Sequence, residues 1–152
     1  MEDSLETLVE DERFDDLHAR VTVSEIAEAW LRYHQGAPAE SDADWWAVQL
    51  WFDEPNEDRR RALLVSLVEA ATSDSELALV AAGPLESFIS DDESRLHWIE
   101  DVAAESAKFR HALRSCRVSE LSDRVFARVE RASGAELPRA DREAYLRRSH
   151  NR

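Results

Sequence analysis

The sequence predicts an all-α protein, and three observations support this. The 152 residues include only 3 Gly and 4 Pro, too few for a β-sandwich or barrel that turns about every ten residues. Helix formers such as Ala, Leu, Glu and Arg dominate instead. Apolar residues also recur at helical spacing between residues typical of helix N-caps. We expect a compact array of short antiparallel helix pairs, either a HEAT-like helical solenoid or an irregular bundle.

The domain organisation is expected to be simple, because no linker or low-complexity segment interrupts the chain. A single helical domain is predicted over residues 1–152. Within it, residues 1–20 should form an acidic N-terminal helix and residues 22–133 the core. Residues 138–152 should form a basic C-terminal helix with a fraying end.

Capping patterns predict where the core helices begin and end. Thr22, Ser73 and Ser90 each precede a Glu by three residues, the spacing of a capping box. Asn and Ser residues elsewhere are further N-cap candidates, and Gly or Pro residues mark ends. The remaining expected boundary residues are Ser41, Asn56, Gly36, Pro38, Ser133 and Gly134.

The stretch "LALVAAGPLESFIS", residues 77–90, contains a Gly-Pro pair that is either a helix joint or a ligand-binding turn. In a joint, Gly83 takes the left-handed position after one helix and Pro84 opens the next. A phosphate-binding loop would need several glycines after a β-strand and a nearby basic residue. No Lys or Arg lies between Arg61 and Arg95. The sequence therefore predicts a joint.

The net charge of −14 is unevenly distributed along the chain. Residues 1–106 carry 27 acidic and 7 basic side chains, whereas residues 107–152 carry 6 and 12. Such a negative field repels phosphates, so direct nucleic-acid binding is not expected. It favours a basic protein partner or mimicry of a nucleic acid, although a purely solubilising surface would also explain it.

The expected location is cytoplasmic. No apolar run approaches the roughly 20 residues that span a bilayer, and the N-terminus is acidic, unlike a secretory leader. We therefore expect no membrane contact. Cys116 is the single cysteine, which excludes an internal disulfide and a cysteine-based metal cluster. The sequence leaves the oligomeric state open.

Motifs for catalysis or metal binding are not found in the sequence. The five histidines form no His-Glu-x-x-His pair, no Gly-x-Ser-x-Gly occurs, and Cys116 has no positioned base. We expect no enzyme activity, no catalytic residue, no metal and no cofactor. An enzyme or small-ligand binder with an inter-helix pocket that uses His97, Glu86 or Glu100 is the alternative.

The tryptophan-rich segment "WWAVQLWF" is the most distinctive feature. Successive helical residues lie about 100° apart, so one face cannot bury all three tryptophans. Either two pack in the core and the third lies in a groove against the N-terminal segment, or they anchor a partner. The predicted partner-binding residues are Trp45, Trp46, Trp51, Asp42, Asp44, Asp53 and Glu54.

Several segments resemble a family of small bacterial proteins that carry a domain of unknown function. The resemblance covers roughly residues 24–132 and includes Trp30–His34, the "AGPLE" of residues 82–86 and "WIEDVAAESAKFRHAL". The chain departs from the family where "SAKFRHAL" replaces the more usual "DPRFRRAL". The resemblance implies an all-helical fold and brings no known activity or assigned catalytic residue.

These observations favour a non-enzymatic protein–protein interaction module. One concrete form is an immunity-type inhibitor of a basic toxin or nuclease, which fits the size, the acidity and the lack of catalytic groups. Besides the enzyme alternative, a nucleic-acid mimic is possible if carboxylates line one face at phosphate-like spacing.

Overall fold

The computed structural model describes residues 1–36 and 42–151, and over these ranges the chain forms helices and no strand. The all-α prediction is confirmed. Contacts divide the chain into two units, residues 1–76 and residues 77–152. The single domain expected over residues 1–152 stays a prediction. Among the described helices, none combines the length and apolar character needed to cross a lipid bilayer.

The first unit is built around a long helix that packs against two others. This helix, α3, contacts both α4 and α5, while α1 packs against α2 and α4. Leucines and an isoleucine from all of these helices fill the core. The described elements are α1 (Leu5–Glu10), α2 (Phe14–Arg20), α3 (Val23–Gln35), a 3₁₀ turn (Asp42–Asp44), α4 (Trp45–Asp53), α5 (Glu57–Ala70) and the beginning of α6 (Asp74–Val80).

The N-terminal segment forms α1 and α2, so the single helix predicted for residues 1–20 is wrong. The amide of Glu12 donates to the carbonyl of Val9 (3.0 Å), and that of Arg13 donates to Leu8 (2.8 Å). This is the Schellman arrangement, with Glu12 in the left-handed position at φ 56°. In one straight helix Phe14 would lie about 120° from Leu8. The break allows both side chains to be buried.

Most predicted caps of the first unit are observed. The hydroxyl of Thr22 accepts a hydrogen bond from the amide of Glu25 (3.1 Å), as the capping box predicts. Gly36 is the C-cap of α3, whereas Pro38 and Ser41 lie outside the described residues. The other two N-caps accept from amides three residues later: Asn56 from Arg59 (3.0 Å) and Ser73 from Glu76 (3.2 Å).

The second unit has α8, α9 and α10 packed on one another, with α9 also contacting a π-helical segment. Its core contains Leu85, Phe88, Ile99 and Phe109. The elements are the rest of α6, the π-helical segment (Ala81–Leu85), α7 (Glu86–Phe88), α8 (Glu93–Glu105), α9 (Ala107–Arg114), α10 (Asp123–Ser133) and α11 (Ala140–His150).

The Gly-Pro pair is not the predicted joint, because it lies inside continuous helical backbone. Among the described residues Gly134, not Gly83, is the glycine with a positive φ, at 70°. The amide of Glu86 donates to the carbonyl of Ala81, five residues earlier. In an α-helix the ring of Pro84 would clash with the carbonyl four residues before it. The wider π turn accommodates the proline without ending the helix.

Two other boundaries differ from the prediction. Asp92, rather than Ser90, caps α8, since its carboxylate accepts from the amide of Arg95 (2.9 Å). Ser90 instead accepts from the amide of Asp92 (3.3 Å). The basic helix α11 begins at Ala140, two residues after the predicted start. The predicted end of α10 at Gly134 is confirmed.

A buried arginine anchors α11. The guanidinium of Arg142 donates to the carbonyl of Leu121 and to the carboxylate of Asp123. It also lies 4.8 Å from the centroid of the Phe126 ring. These contacts fix the first turns of α11 against α10 and its N-terminal loop.

Candidate functional site

Helix α4 presents two large aromatic side chains to solvent. Trp45 is 42% exposed and Phe52 is 66% exposed. They are seven residues apart, so they lie on one helical face about 10 Å from each other along the axis. Trp45 also contacts Tyr33 of α3, with ring centroids 5.3 Å apart. An exposed aromatic stripe of this kind is typical of a binding surface.

The other two tryptophans of α4 are in the core, so they are not surface anchors. Trp46 is 8% exposed and Trp51 is 3% exposed. The reason is that α1 and α3 both pack against α4 and cover the faces that carry them. Two tryptophans therefore pack inside while Trp45 stays partly exposed, as the first of the two arrangements predicted. The described contact of Trp45 is with Tyr33 of α3, not with the N-terminal segment as that arrangement expected.

The acidic residues around α4 divide into unpaired and paired groups. Asp42 and Asp53 are exposed and pair with no other described side chain. Asp44 instead accepts two hydrogen bonds from the guanidinium of Arg32, at 3.2 and 3.0 Å. Donating these hydrogen bonds to the Asp44 carboxylate raises the pKa of Arg32. We refer to Trp45, Phe52, Asp42 and Asp53 as the α4 patch.

Glu54, also predicted to bind a partner, is unavailable because its side chain is only 1% exposed. Its Oε2 atom lies 2.7 Å from Nε2 of His18 in α2. Its Oε1 atom accepts from the amide of Asn56 at 3.2 Å. This pairing could not be predicted from local sequence patterns, since His18 and Glu54 are 36 residues apart.

Arg60 holds the C-terminal end of α4, a role that sequence reasoning missed. Its guanidinium donates to the carbonyls of Trp51 (3.1 Å), Phe52 (2.9 Å) and Glu54 (2.7 Å). These are carbonyls that a helix end leaves without internal partners. The contacts fix the backbone that carries the exposed Phe52 ring.

A polar cleft of about 450 Å³ lies beside Glu54, between the first turns of α2 and α5. Phe14, Asn56 and Arg59 are among its lining residues. Within it Nη2 of Arg59 lies 2.8 Å from the carboxylate of Asp15. The cleft thus contains charges of both signs that pair with each other.

His97 and Glu100, two residues of the enzyme alternative, lie in a surface charge network. His97 is exposed and lies 3.1 Å from Glu93, and Glu100 accepts from Arg128. Arg128 also binds Glu93 at 2.6 Å and lowers the pKa of that carboxyl. These residues form a surface charge network between α8 and α10.

Glu86 is half-buried and contributes, after burial itself, to raising the pKa of the Cys116 thiol to about 12. It is not part of the network of His97 and Glu100. Across residues 1–36 and 42–151, no three His, Cys, Asp or Glu side chains are grouped so as to hold a metal ion.

Charge differs sharply between the two units. Residues 1–76 contain 20 acidic and 6 basic side chains, a net charge of −14. Residues 77–152 contain 13 of each and are neutral overall. The whole net charge of the chain therefore resides in the unit that carries the α4 patch.

No curated protein sequence and no solved structure matches this chain. A family model described as "Family of unknown function" (DUF6869) matches residues 34–136, which is more than half of the chain. The matched segment includes α4 and Arg60 but not His18. This agrees with the resemblance to a domain of unknown function noted from the sequence. The chain belongs to the family of unknown function DUF6869.

Proposed function

We propose that the protein is a non-enzymatic interaction module that binds a basic protein through the α4 patch. The observation that carries the proposal is the combination of two exposed aromatic rings on α4 with two exposed carboxylates, Asp53 at the end of α4 and Asp42 in the 3₁₀ turn before it, that pair with no other side chain of the described residues. Buried aromatic anchors dominate many protein interfaces, and truncating one often costs about 2 kcal/mol or more of binding free energy. Trp45 and Phe52 would be those anchors.

Electrostatics would bring the partner to this surface. The net charge of −14 on residues 1–76 attracts a basic protein and accelerates its association, and salt weakens this effect. An inhibitor of the immunity type, directed at a basic toxin or nuclease in a bacterial cytoplasm, is the concrete form that we favour. In this proposal the protein acts by occlusion, with no catalytic residue and no cofactor.

The test is affinity capture from a lysate of the source organism at low and high salt, followed by mass spectrometry. The wild type is compared with a Trp45→Ala/Phe52→Ala double variant and with Leu79→Ala. Leu79 is another exposed apolar residue, in the second unit, and serves as the matched control. We expect a basic protein to be retained by the wild type and the control at low salt and lost from the double variant.

Retention of the same partner by all three proteins would show that binding does not use the α4 patch. Retention that is equally strong at high salt would contradict the electrostatic part of the proposal.

A further inference from the structure

We propose that the basic partner contacts the α4 patch through one amphipathic helix that lies along α4. This inference rests on the proposed function, because it names the element of the partner that occupies the same surface. The docked helix bears apolar residues at helical spacing on one face and Lys or Arg residues at both ends. Packing of one helix face on another is a recurring mode by which a protein recognises a segment of its partner.

The exposed side chains of α4 form one straight stripe. Trp45 and Phe52 are exposed, and Gln49 between them is half-exposed. At about 100° per residue, Gln49 lies about 40° to one side of Trp45 and Phe52 about 20° to the other side. The buried residues of α4 are Trp46, Ala47, Val48, Leu50 and Trp51. The helix therefore has a second face, with the i, i+4, i+7 spacing of a packing stripe, that no described element covers.

The length of the stripe matches a helix better than an extended chain. Trp45 and Phe52 are seven residues apart, which corresponds to about 10 Å of helical rise. A second helix presents residues i and i+7 on one face at the same separation, with residues i+3 and i+4 between them. An extended strand presents the residues of one face about 6.6 Å and then about 13 Å apart. A helix can therefore contact both rings in register, and a strand cannot.

Both ends of α4 are held by hydrogen bonds, so the stripe is presented on a fixed backbone. Before the first turn, Asp44 accepts two hydrogen bonds from Arg32 of α3. The ring of Tyr33, with its centroid 5.3 Å from that of Trp45, extends the apolar surface at this end. At the other end Arg60 donates to three backbone carbonyls. A surface that is already ordered loses little conformational entropy when a partner binds.

Charge selects a basic helix over a neutral or acidic one. Asp42 precedes the stripe and Asp53 follows it, and both carboxylates are exposed and pair with no other described side chain. Long Lys and Arg side chains at both ends of a docked helix can reach these carboxylates whichever way the helix runs. The net charge of −14 on residues 1–76 also attracts a basic segment before contact. An acidic helix would be repelled.

The test is the binding of synthetic, fluorescein-labelled peptides to the full chain, measured by fluorescence anisotropy. Each peptide is alanine-based, is about 16 residues long so that it is partly helical in water, and carries a pair of Arg residues at each end. The stripe peptide has Leu at positions i, i+4 and i+7. One control peptide has the same composition with its Leu residues on different faces. The other has the Leu residues of the stripe peptide and a central proline that breaks the helix.

We expect the stripe peptide to bind at least about tenfold more tightly than either control, because the controls have the same charge but present no continuous apolar face. Equal binding of all three peptides would overturn the inference, since charge alone would then explain it. Binding of the proline peptide as tightly as the stripe peptide would also overturn it, because the surface would then accept an extended segment.

Variants of the protein locate the contact. Trp45→Ala/Phe52→Ala should weaken binding of the stripe peptide at least about tenfold. Gln49→Leu keeps the net charge and adds an apolar side chain at the middle of the stripe, so it should tighten binding by about three- to tenfold. A gain of affinity cannot result from unfolding. Leu79→Ala, at an exposed apolar residue of the second unit, is the control and should leave the affinity unchanged.

Other outcomes separate this inference from the proposed function. If the wild type captures a basic protein through the α4 patch but binds the three peptides equally, the inference falls and the proposed function stands. If no basic protein is captured and the stripe peptide binds the wild type and Trp45→Ala/Phe52→Ala equally, both fail. An unchanged affinity of Gln49→Leu for the stripe peptide would show that the helix does not lie along the stripe.

Discussion

The Nε2 atom of His18 and the Oε2 atom of Glu54 lie 2.7 Å apart and join α2 to the turn between α4 and α5. The Glu54 carboxylate is buried, so hydrogen bonds from the protein have replaced its contacts with water. A buried ionised group is tolerated only while its partners remain. The pair thus holds the end of α4 that presents Phe52.

Replacing Glu54 with Ala should therefore lower the free energy of unfolding by about 2–4 kcal/mol, because it empties a buried site and leaves the partly buried His18 ring and the Asn56 amide without their acceptor. Urea denaturation measures the change. Asp53→Ala, one residue earlier and exposed, is the control and should shift it by no more than about 0.5 kcal/mol. Equal stabilities for the two variants would mean that the Glu54 contacts contribute nothing.

Glu12→Gly should stabilise the protein. Glu12 occupies a left-handed backbone conformation, φ 56°, which costs an L-amino acid about 1–2 kcal/mol and glycine little. After the loss of glycine entropy, we expect a gain of about 0.5–1 kcal/mol in urea denaturation. Glu10→Gly, in the last turn of α1, should instead destabilise. A loss of stability on Glu12→Gly would show that the Glu12 side chain makes a stabilising contact that outweighs the relief of backbone strain.

The tryptophans of α4 should differ in their effect on stability. Trp46→Ala empties a core site and should cost about 3–5 kcal/mol. Trp45→Ala removes a side chain that contacts Tyr33 but is partly exposed, and should cost about 1 kcal/mol or less. Thermal or urea unfolding distinguishes these values. If Trp45→Ala destabilised as much as Trp46→Ala, loss of partner binding in the double variant would reflect unfolding.

Cys116 should be chemically inert in the folded protein. Burial raises the pKa of its thiol to about 12, with a smaller contribution from Glu86, so little reactive thiolate exists near neutral pH. A thiol reagent at about pH 8 should modify the chain slowly in buffer and rapidly in urea. Rapid modification under both conditions would show that the thiol is accessible.

The same pKa shift makes stability depend on pH. The unfolded thiol loses its proton at about pH 8.5–9, before the folded one, so this group's stabilising contribution falls from there toward pH 12. Urea denaturation at several alkaline pH values should show a shallower decline for Cys116→Ala than for the wild type. If the wild type and Cys116→Ala lost stability equally with rising pH, the raised pKa of the Cys116 thiol would be contradicted.

Features that depend on near neighbours in sequence could be predicted, and those that depend on distant residues could not. The caps at Thr22 and Asn56 were predicted because each bonds an amide three residues later. The burial of Glu54 was missed because its partner is contributed by another helix. Within an acidic stretch, the neighbouring sequence does not indicate which charged side chain is buried.

The aromatic cluster and the Gly-Pro pair could be predicted only in part. The spacing on α4 showed that not all three tryptophans could be buried, but only the packing of α1 and α3 shows that Trp45 is the exposed one. At Gly83 and Pro84 the residue types predicted a joint in which Pro84 opens a new helix, whereas the backbone stays helical and widens to a π turn. Proline removes one hydrogen bond, and the packing of Leu85 and Phe88 keeps the helix continuous around it.

The segment that the family shares begins at residue 34, so it excludes α1, α2 and nearly all of α3. Those helices cover the inner faces of α4 and α5, and His18 is the hydrogen-bonding partner of Glu54. A polypeptide trimmed to the shared boundaries would expose Trp46, Trp51 and an unpaired carboxylate together. We expect it to aggregate during recombinant expression. Residues before position 34 thus complete the hydrophobic core around α4 and α5. A minimal fragment that folds has to retain them.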